Sequence, residues 1–297
     1  MLPQELLNRL AKQFGYAAVA TMTTAMKGER LTTCRVNTLK SDDSAVMQIF
    51  RDTAIQFERV KGIPHAFFIK NKTQRQLLEM PIVTSGKIYL QGLTSMLPPI
   101  VLDPKPGQTI LDLCAAPGSK TTQIAALMDN RGTIIACEEN AVRVEKLRNT
   151  VHTQGANVDV RCADSTVLHH ELPEFFDSIL ADVPCSAEGR MNLSDVRSYS
   201  FWSEKNIIAH AKLQRRLLRS AVTMLKPGGT LVYSTCTLAP AENEEMIAWL
   251  LSEFPSLSAE SIALPFPGIV HKPTKSVTLL PTKQYEGFFV AKMRKTK

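Results

Sequence analysis

The apolar positions of this chain change their period near residue 105. In the opening segment MLPQELLNRLAKQFG, Leu6, Leu7, Leu10 and Phe14 recur at helical spacing among mixed charges. That pattern predicts an amphipathic helix rather than a signal peptide. LTTCRVNTL reads as a strand, and HAFFIK and KIYLQ as two shorter ones. DDSAVMQIFRDTAIQFERV predicts one amphipathic helix with Val46, Ile49, Phe50, Phe57 and Val60 near one face. SMLPPIVLDPKPG predicts a helical turn and then a proline-rich joint. The joint is the expected boundary between a small basic α+β module, residues 1–105, and a catalytic domain, residues 106–297.

Beyond the joint, strand and helix patterns alternate. TILDLC, GTIIACE, NVDVRCAD, DSILADVP and GTLVYST read as near-continuous apolar strands, and EGFFVAKMRK as a closing one. SKTTQIAALM, AVRVEKLRNTVHTQG, EKNIIAHAKLQRRLLRSAVTML and AENEEMIAWLLSEF read as helices between them. Alternation of this kind implies an α/β fold with a mainly parallel sheet covered on both faces. Such sheets bind ligands outside the carboxyl ends of their strands.

Composition narrows the class. Of 297 residues, 44% are hydrophobic and 21% charged, the balance of an ordinary globular chain. No apolar run approaches the roughly 20 residues that span a bilayer, so a cytoplasmic protein without membrane contact is expected. The six cysteines (Cys34, Cys114, Cys137, Cys162, Cys185, Cys236) form no C-x-x-C pair. Neither a structural metal nor a disulfide scaffold is therefore expected. The net charge of +7 is unevenly spread: residues 1–105 hold 14 Lys and Arg against 8 Asp and Glu, and residues 106–297 hold 21 against 20. A basic first third suits a polyanion, since phosphate contacts release counterions.

Chemistry gathers at the strand ends. LDLCAAPGSKT places Asp112, Cys114 and a Pro117-Gly118 turn after the first core strand. It is neither G-x-G-x-x-G nor a P-loop. Glu138 ends the next strand, placed for a ribose diol, with Glu139 less apt. Asp164 follows the third, near an adenine edge. Acidic strand ends behind a small-residue loop suit an adenosine ligand without a phosphate cradle, and S-adenosylmethionine is such a ligand. DVPCSAEG then presents Asp182 and Cys185, and LVYSTC presents Cys236. Alone, Cys236 reads as a core residue. Two thiols and a carboxylate beside a methyl donor nevertheless match a known need. Carbon 5 of a pyrimidine becomes nucleophilic once a thiolate adds to carbon 6.

The segments QGLTSMLPPIVLDPKPGQTILDLCAAPGSKT, DVPCSAEG and LVYSTCTLAPAENEE resemble the signatures of the Nop/Sun family of RNA cytosine-C5 methyltransferases. The resemblance runs from RVNTLK to EGFFVAKMRK. It implies a Rossmann-like class I methyltransferase domain with a mainly parallel seven-stranded sheet, preceded by an RNA-recognition-like module. It further implies Cys236 as nucleophile, Cys185 in product release, Asp182 at the target base and Lys120 lining the active site. S-adenosylmethionine would contact Cys114, Ala115, Ala116, Pro117, Gly118, Lys120, Glu138, Arg143, Asp164 and Asp182. RNA would contact Arg35, Asn37 and Arg190. Ala187 and Glu188 stand where the family often continues into an Arg-rich stretch. The compact length resembles tRNA-modifying members more than ribosomal ones, and the resemblance implies a monomer acting on structured RNA, tRNA or rRNA. A non-catalytic RNA-binding or ribosome-assembly factor is the alternative, to be marked by a degraded cysteine pair or cofactor loop.

Other residues read as scaffold. Cys34, Cys114, Cys137 and Cys162 are expected in the core. The His169-His170 pair reads as loop, Trp202 and Phe201 as anchors for the long helix rather than base-stacking rings, and KLQRRLLR as a solvated helix face.

Overall fold

The computed structural model describes residues 2–28, 30–264, 266 and 269–296. Gly15 separates two opening helices, α1 (Gln4–Phe14) and α2 (Tyr16–Ala25). An antiparallel sheet follows, built from β1 (Thr32–Val36), β2 (Phe57–Arg59), β3 (Ala66–Ile69) and β4 (Ile88–Leu90) in the order β2-β3-β1-β4. In the chain, α3 (Asp43–Asp52) lies between β1 and β2, and α4 (Gln74–Leu78) and α5 (Pro81–Thr84) lie between β3 and β4. This β-α-β-β-α-β order is the ferredoxin-like arrangement.

The one helix expected over residues 42–60 is instead two elements. The Asp42 side chain caps α3 by accepting from Ala45 N. The helix stops at Asp52, Ala54 takes φ 52°, and Phe57–Arg59 pair with β3. Tertiary packing explains the difference. The Phe57 ring lies 5.2 Å from Phe50 and 5.7 Å from Phe67. Helix and strand thus deliver their apolar residues to one core, and the sum mimics a longer helical face.

Strand alternation in β3 divides its residues between two cores. Phe67 and Ile69 join Cys34, Val46 and Phe50 inside the small unit. Ala66 and Phe68 join Leu93, Met96 and Leu97, which belong to the core of the larger sheet. The helices α1 and α2 lie elsewhere: Leu6, Leu10 and Met22 pack on Met191, Trp202 and Leu238.

A short helix, α6 (Leu97–Leu102), stops where Asp103 adopts φ 53° ahead of Pro104 and Pro106. Then come β5 (Thr109–Asp112), α7 (Ser119–Leu127), β6 (Thr133–Glu138), α8 (Ala141–Gln154), β7 (Asp159–Cys162), β8 (Phe176–Asp182), α9 (Glu204–Met224), β9 (Leu225–Thr235) and α10 (Glu244–Glu253). The five strands are parallel neighbours in the order β9-β8-β5-β6-β7. Beyond them, β10 (Leu257–Glu260), β11 (Ile269–His271), β12 (Val277–Leu279) and β13 (Phe288–Lys295) extend the β9 edge antiparallel. The Rossmann-like parallel core and closing strand are as expected. Among the described residues the sheet has nine strands rather than the expected seven, and its short edge strands β10, β11 and β12 carry too little apolar pattern to read. Among the described residues no helix is long and apolar enough to cross a membrane.

The chain leaves β5 toward β6 and β7, then returns to its other side as β8. The crevice at the carboxyl ends of β5 and β8 is therefore the topological switch point. Asp112 ends β5 and Asp182 ends β8.

Phe67 is fully buried in the aromatic trio of the small core. Phe67→Ala is expected to lower unfolding free energy by about 3–5 kcal/mol in urea titration. A loss below about 1 kcal/mol would show that this core does not stabilise the fold.

Candidate active site

The two cysteine loops leave neighbouring strands at one level. β8 and β9 pair in parallel with Asp182 opposite Ser234, and three and two residues later the chain reaches Cys185 and Cys236. Their sulfurs lie 3.4 Å apart. The hydrogen bond to Cys236, together with burial, raises the pKa of Cys185 well above that of an ordinary thiol. Either sulfur can donate in that contact. Asp182 Oδ1 accepts from Ser234 Oγ at 2.7 Å. Its Oδ2 lies 2.6 Å from Lys120 Nζ, which also donates to Ser95 Oγ at 3.0 Å.

Behind the thiols lies a buried polar corner. Glu242 is fully buried and accepts from Ser186 Oγ, from Ser186 N at 3.1 Å and from Gln214 Nε2 at 2.8 Å. Asn243 accepts from Thr235 Oγ1 at 2.6 Å and donates to the Thr237 carbonyl at 3.0 Å. One residue thus holds the neighbour of Cys185, and the next holds both neighbours of Cys236. Burial raises the Glu242 pKa, while its hydrogen bonds from Ser186 and Gln214 oppose the shift. Gly189 N donates to the Cys236 carbonyl at 2.9 Å, and Gly287 N to the Gly189 carbonyl at 3.0 Å. A Cβ on Gly189 would come within 2.1 Å of the Gly287 oxygen, so only glycine allows the two backbones to cross there.

On the other side of the switch point, the loop after β5 turns into α7 at Gly118. Its φ is 106°, and a Cβ there would lie 2.9 Å from Leu147 Cδ1 of α8. Asp112 is buried; Oδ2 accepts from Thr121 Oγ1 at 2.7 Å, and Oδ1 has no partner. Burial pushes its carboxyl up to about 7, and the nearby Asp182 adds to the shift. Glu138, also buried, pairs with Arg143 at 2.8 Å and accepts from Asn140 N at 3.0 Å. Arg143 reaches back to the Ala116 carbonyl at 2.8 Å, tying the loop to β6. A cleft of about 1240 Å³ is lined by Asp112, Cys114, Lys120, Asp182, Arg190 and Cys236 among others.

Residues 99–294 match the family model of the 16S rRNA methyltransferase RsmB/F, and residues 2–76 the ferredoxin-like domain of RsmF/B-like methyltransferases. The chain belongs to the RsmB/F methyltransferase family. Family members depend on S-adenosylmethionine. Ribosomal RNA small subunit methyltransferase F of Pectobacterium atrosepticum is 40% identical over 272 residues, which cover 88% of this chain and 56% of that protein. The chain therefore spans little more than half the length of the curated relatives it matches. A methyltransferase homolog protein from Pyrococcus horikoshii has 30% identity and a TM-score of 0.83, with 99% of this chain and 100% of that one covered. NSun6 of the same organism, solved with SFG, shares the fold at a TM-score of 0.86 and 24% identity, covering 99% of this chain and 98% of that one.

Within this family member the expected site residues divide into three groups. Asp182, Lys120, Cys185, Cys236, Asp112 and the Cys114–Gly118 loop converge on the switch point. Asp164 ends up exposed beyond β7, its Oδ1 accepting from Thr166 N at 2.8 Å. Arg190 is also exposed, 3.5 Å from Glu286 on the cleft wall.

Arg35 and Asn37 require correction as RNA contacts, because both are buried and bonded inside the protein. Arg35 donates to Gln91 Oε1 and Thr122 Oγ1, each at 3.2 Å, and burial lowers its pKa to about 10. Asn37 donates to the carbonyls of Gly86 and Gln154, each at 2.8 Å. They join the small sheet to α7 and α8.

Cys162 is exposed rather than core, because β7 is the edge strand. Cys34 and Cys137 are buried as expected, and burial pushes both thiols up to about 12. Cys114 is only partly buried and lines the cleft. Trp202 is buried beside Ile207 of α9, but it ties α1 and the turn after β8 rather than α9 to the sheet. Its Nε1 donates to buried Glu188 at 2.7 Å, and Arg9 of α1 pairs with the same carboxylate. Phe201, expected as a second anchor, is exposed. Glu242 and Asn243 are the site residues the pattern of strand ends misses, since they sit beyond the sheet in AENEE.

Asp112 gives a pH test. A raised folded-state pKa means that its protonation stabilises the fold fully below the ordinary carboxyl range and ceases to do so as pH rises through about 7. Asp112→Asn removes this titration while leaving an acceptor for Thr121. The melting temperature of the variant is expected to rise relative to wild type between pH 5 and pH 8. Parallel curves for the two proteins would contradict the assignment.

Proposed function

We propose that this chain methylates carbon 5 of a cytosine in structured RNA, with Cys236 as the covalent nucleophile. The observation that carries the reading is the 3.4 Å approach of Cys185 to Cys236, which lines one cleft with the Lys120–Asp182 pair. A target base must leave its stack to reach these sulfurs.

The donor site fits S-adenosylmethionine. The orphaned Asp112 Oδ1 awaits a donor such as the ammonium of the amino-acid end. The Ala115–Pro117 backbone lies along the cleft; on this reading Glu138 would hold the ribose and Asp164 would meet the adenine. When bound, S-adenosylmethionine supplies the methyl group as an electrophile on a sulfonium.

The residues of this chain do the rest. The Cys236 thiolate adds to carbon 6, and the displaced π electrons flow toward N3 and make carbon 5 nucleophilic. Asp182 faces the base edge. Lys120, 2.6 Å behind it, holds the proton that passes through Asp182 to N3 and later returns. Once carbon 5 is methylated, solvent in the open cleft takes its proton. The electron pair re-forms the C5–C6 double bond and expels the Cys236 thiolate. Cys185, protonated and 3.4 Å away, donates a hydrogen bond to that leaving sulfur. Cys185 therefore serves release rather than attack.

Small-subunit rRNA is the first substrate to test, because the relatives carry that name; tRNA is the second. The intact cysteine pair and donor crevice stand against a purely non-catalytic assembly factor.

Cys236→Ala is expected to reduce 5-methylcytosine formation to background in mass spectrometry of treated RNA, with S-adenosylmethionine affinity retained by calorimetry. Undiminished product would end the nucleophile assignment. Cys185→Ala is expected to accumulate an RNA–protein adduct that survives denaturing electrophoresis. If that variant turned over freely without an adduct, Cys185 would have no part in release.

A further inference from the structure

The cleft that holds Cys236 has a second wall, and its charges are not used by the chemistry above. Arg30, Lys72 and Arg75 line it. Among the described residues none of the three has a carboxylate at ion-pair distance, although Lys70 beside them pairs with Glu58 at 2.6 Å. Arg30 stands out. Its Nε and Nη2 are shielded from solvent and have no hydrogen-bond partner among the described residues. An unsatisfied buried donor is costly, and the cost rises for a charged group.

Its neighbourhood shows what would satisfy it. Glu286 attracts Arg30 but lies nearer Arg190, with which it pairs at 3.5 Å. Two guanidinium groups thus share one carboxylate, and they repel each other. A second anion would neutralise the pair and fill the orphaned donors. Planar guanidinium forks suit the oxygens of a phosphodiester. Arg190 lines the same cleft as Asp182 and Cys236, so it lies on the path of a base that reaches the thiols.

We propose that Arg30 and Arg190 form a phosphate subsite for the RNA backbone next to the target cytidine, with Glu286 competing for Arg190 when no RNA is bound. Lys72 and Arg75 continue the path of the strand along the same wall. This rests on the RNA reading above and adds to it a binding residue, Arg30, outside the sequence signatures. The shared chemistry is a phosphate oxyanion. A backbone linkage is distinguished from free phosphate by neutralising single linkages in the probe.

The test uses the full chain and a short single-stranded oligoribonucleotide with one cytidine, followed by fluorescence anisotropy across a salt series. Arg30→Gln is expected to weaken binding about tenfold. It should also reduce the slope of log Kd against log salt by about 0.7, the value for one single-strand phosphate. Arg30→Lys should recover part of the loss, and Glu286→Gln should tighten binding, a sign no misfolded variant would give. Arg148→Gln, on the outer face of α8, should bind as wild type. In probes with one uncharged methylphosphonate moved along the strand, the Arg30→Gln effect should vanish at a linkage flanking the cytidine. An unchanged affinity and salt slope in Arg30→Gln would overturn the proposal. So would a loss that persists wherever the uncharged linkage is placed. S-adenosylmethionine affinity should be the same in all variants. If the wild type bound RNA in this way but formed no 5-methylcytosine, the catalytic reading would fail while the subsite stood.

Discussion

A carboxylate and an amide buried side by side hold the two cysteine turns together. Glu242 fixes the turn after β8 through Ser186, and Asn243 fixes the turn after β9 through Thr235 and Thr237. Ser186 and Thr237 also meet each other, at 2.7 Å. Parallel pairing of β8 and β9 brings two loops to the same height, but it does not by itself set two sulfurs within contact distance. Reacting groups need placement within about 0.5 Å, which flexible loops do not hold alone. The corner supplies it with donors and acceptors that have no solvent to turn to. Each is therefore obliged to keep its partner. The thiols, by contrast, remain only partly buried, and Cys236 lines the cleft.

The second constraint is the shared core of the two sheets. Because Ala66 and Phe68 of β3 enter the same cluster as Leu97, Ile110 and Val232, the small sheet is continuous in packing with the large one. Arg35 and Asn37 add polar ties at the same joint, reaching α7 and the end of α8. Both walls of the cleft thus belong to one packed body. A strand of RNA would meet a groove of set width, with a donor crevice at one end and unpaired cations on the facing side.

The sequence made the parallel core legible because each buried strand is a near-continuous apolar run ending in a small or acidic residue. Asp112, Asp182, Cys185 and Cys236 were readable for that reason: they sit where the runs stop. Strands β10, β11 and β12 were not, being three or four residues long at a sheet edge. Phe57 misled for a different reason, since its position fits a helical face and a strand contact equally well. Arg35 and Asn37 show the limit of reading a polar residue as a ligand contact. Burial of either is decided by what packs on the far side of the strand, about which local pattern says nothing. Glu242 and Asn243 lie outside any periodic element, so their reach to two separate loops becomes visible only in three dimensions.

The pairing of Arg9 with Glu188 spans 179 positions along the chain. A ribosome delivers α1 long before the turn that follows Cys185 exists. Until then the apolar stripe of α1 has only α2 beside it to settle on. Its contact with Leu238 can form only once the chain past β9 exists. A helix made early thus completes its packing late, against the turn that follows Cys185.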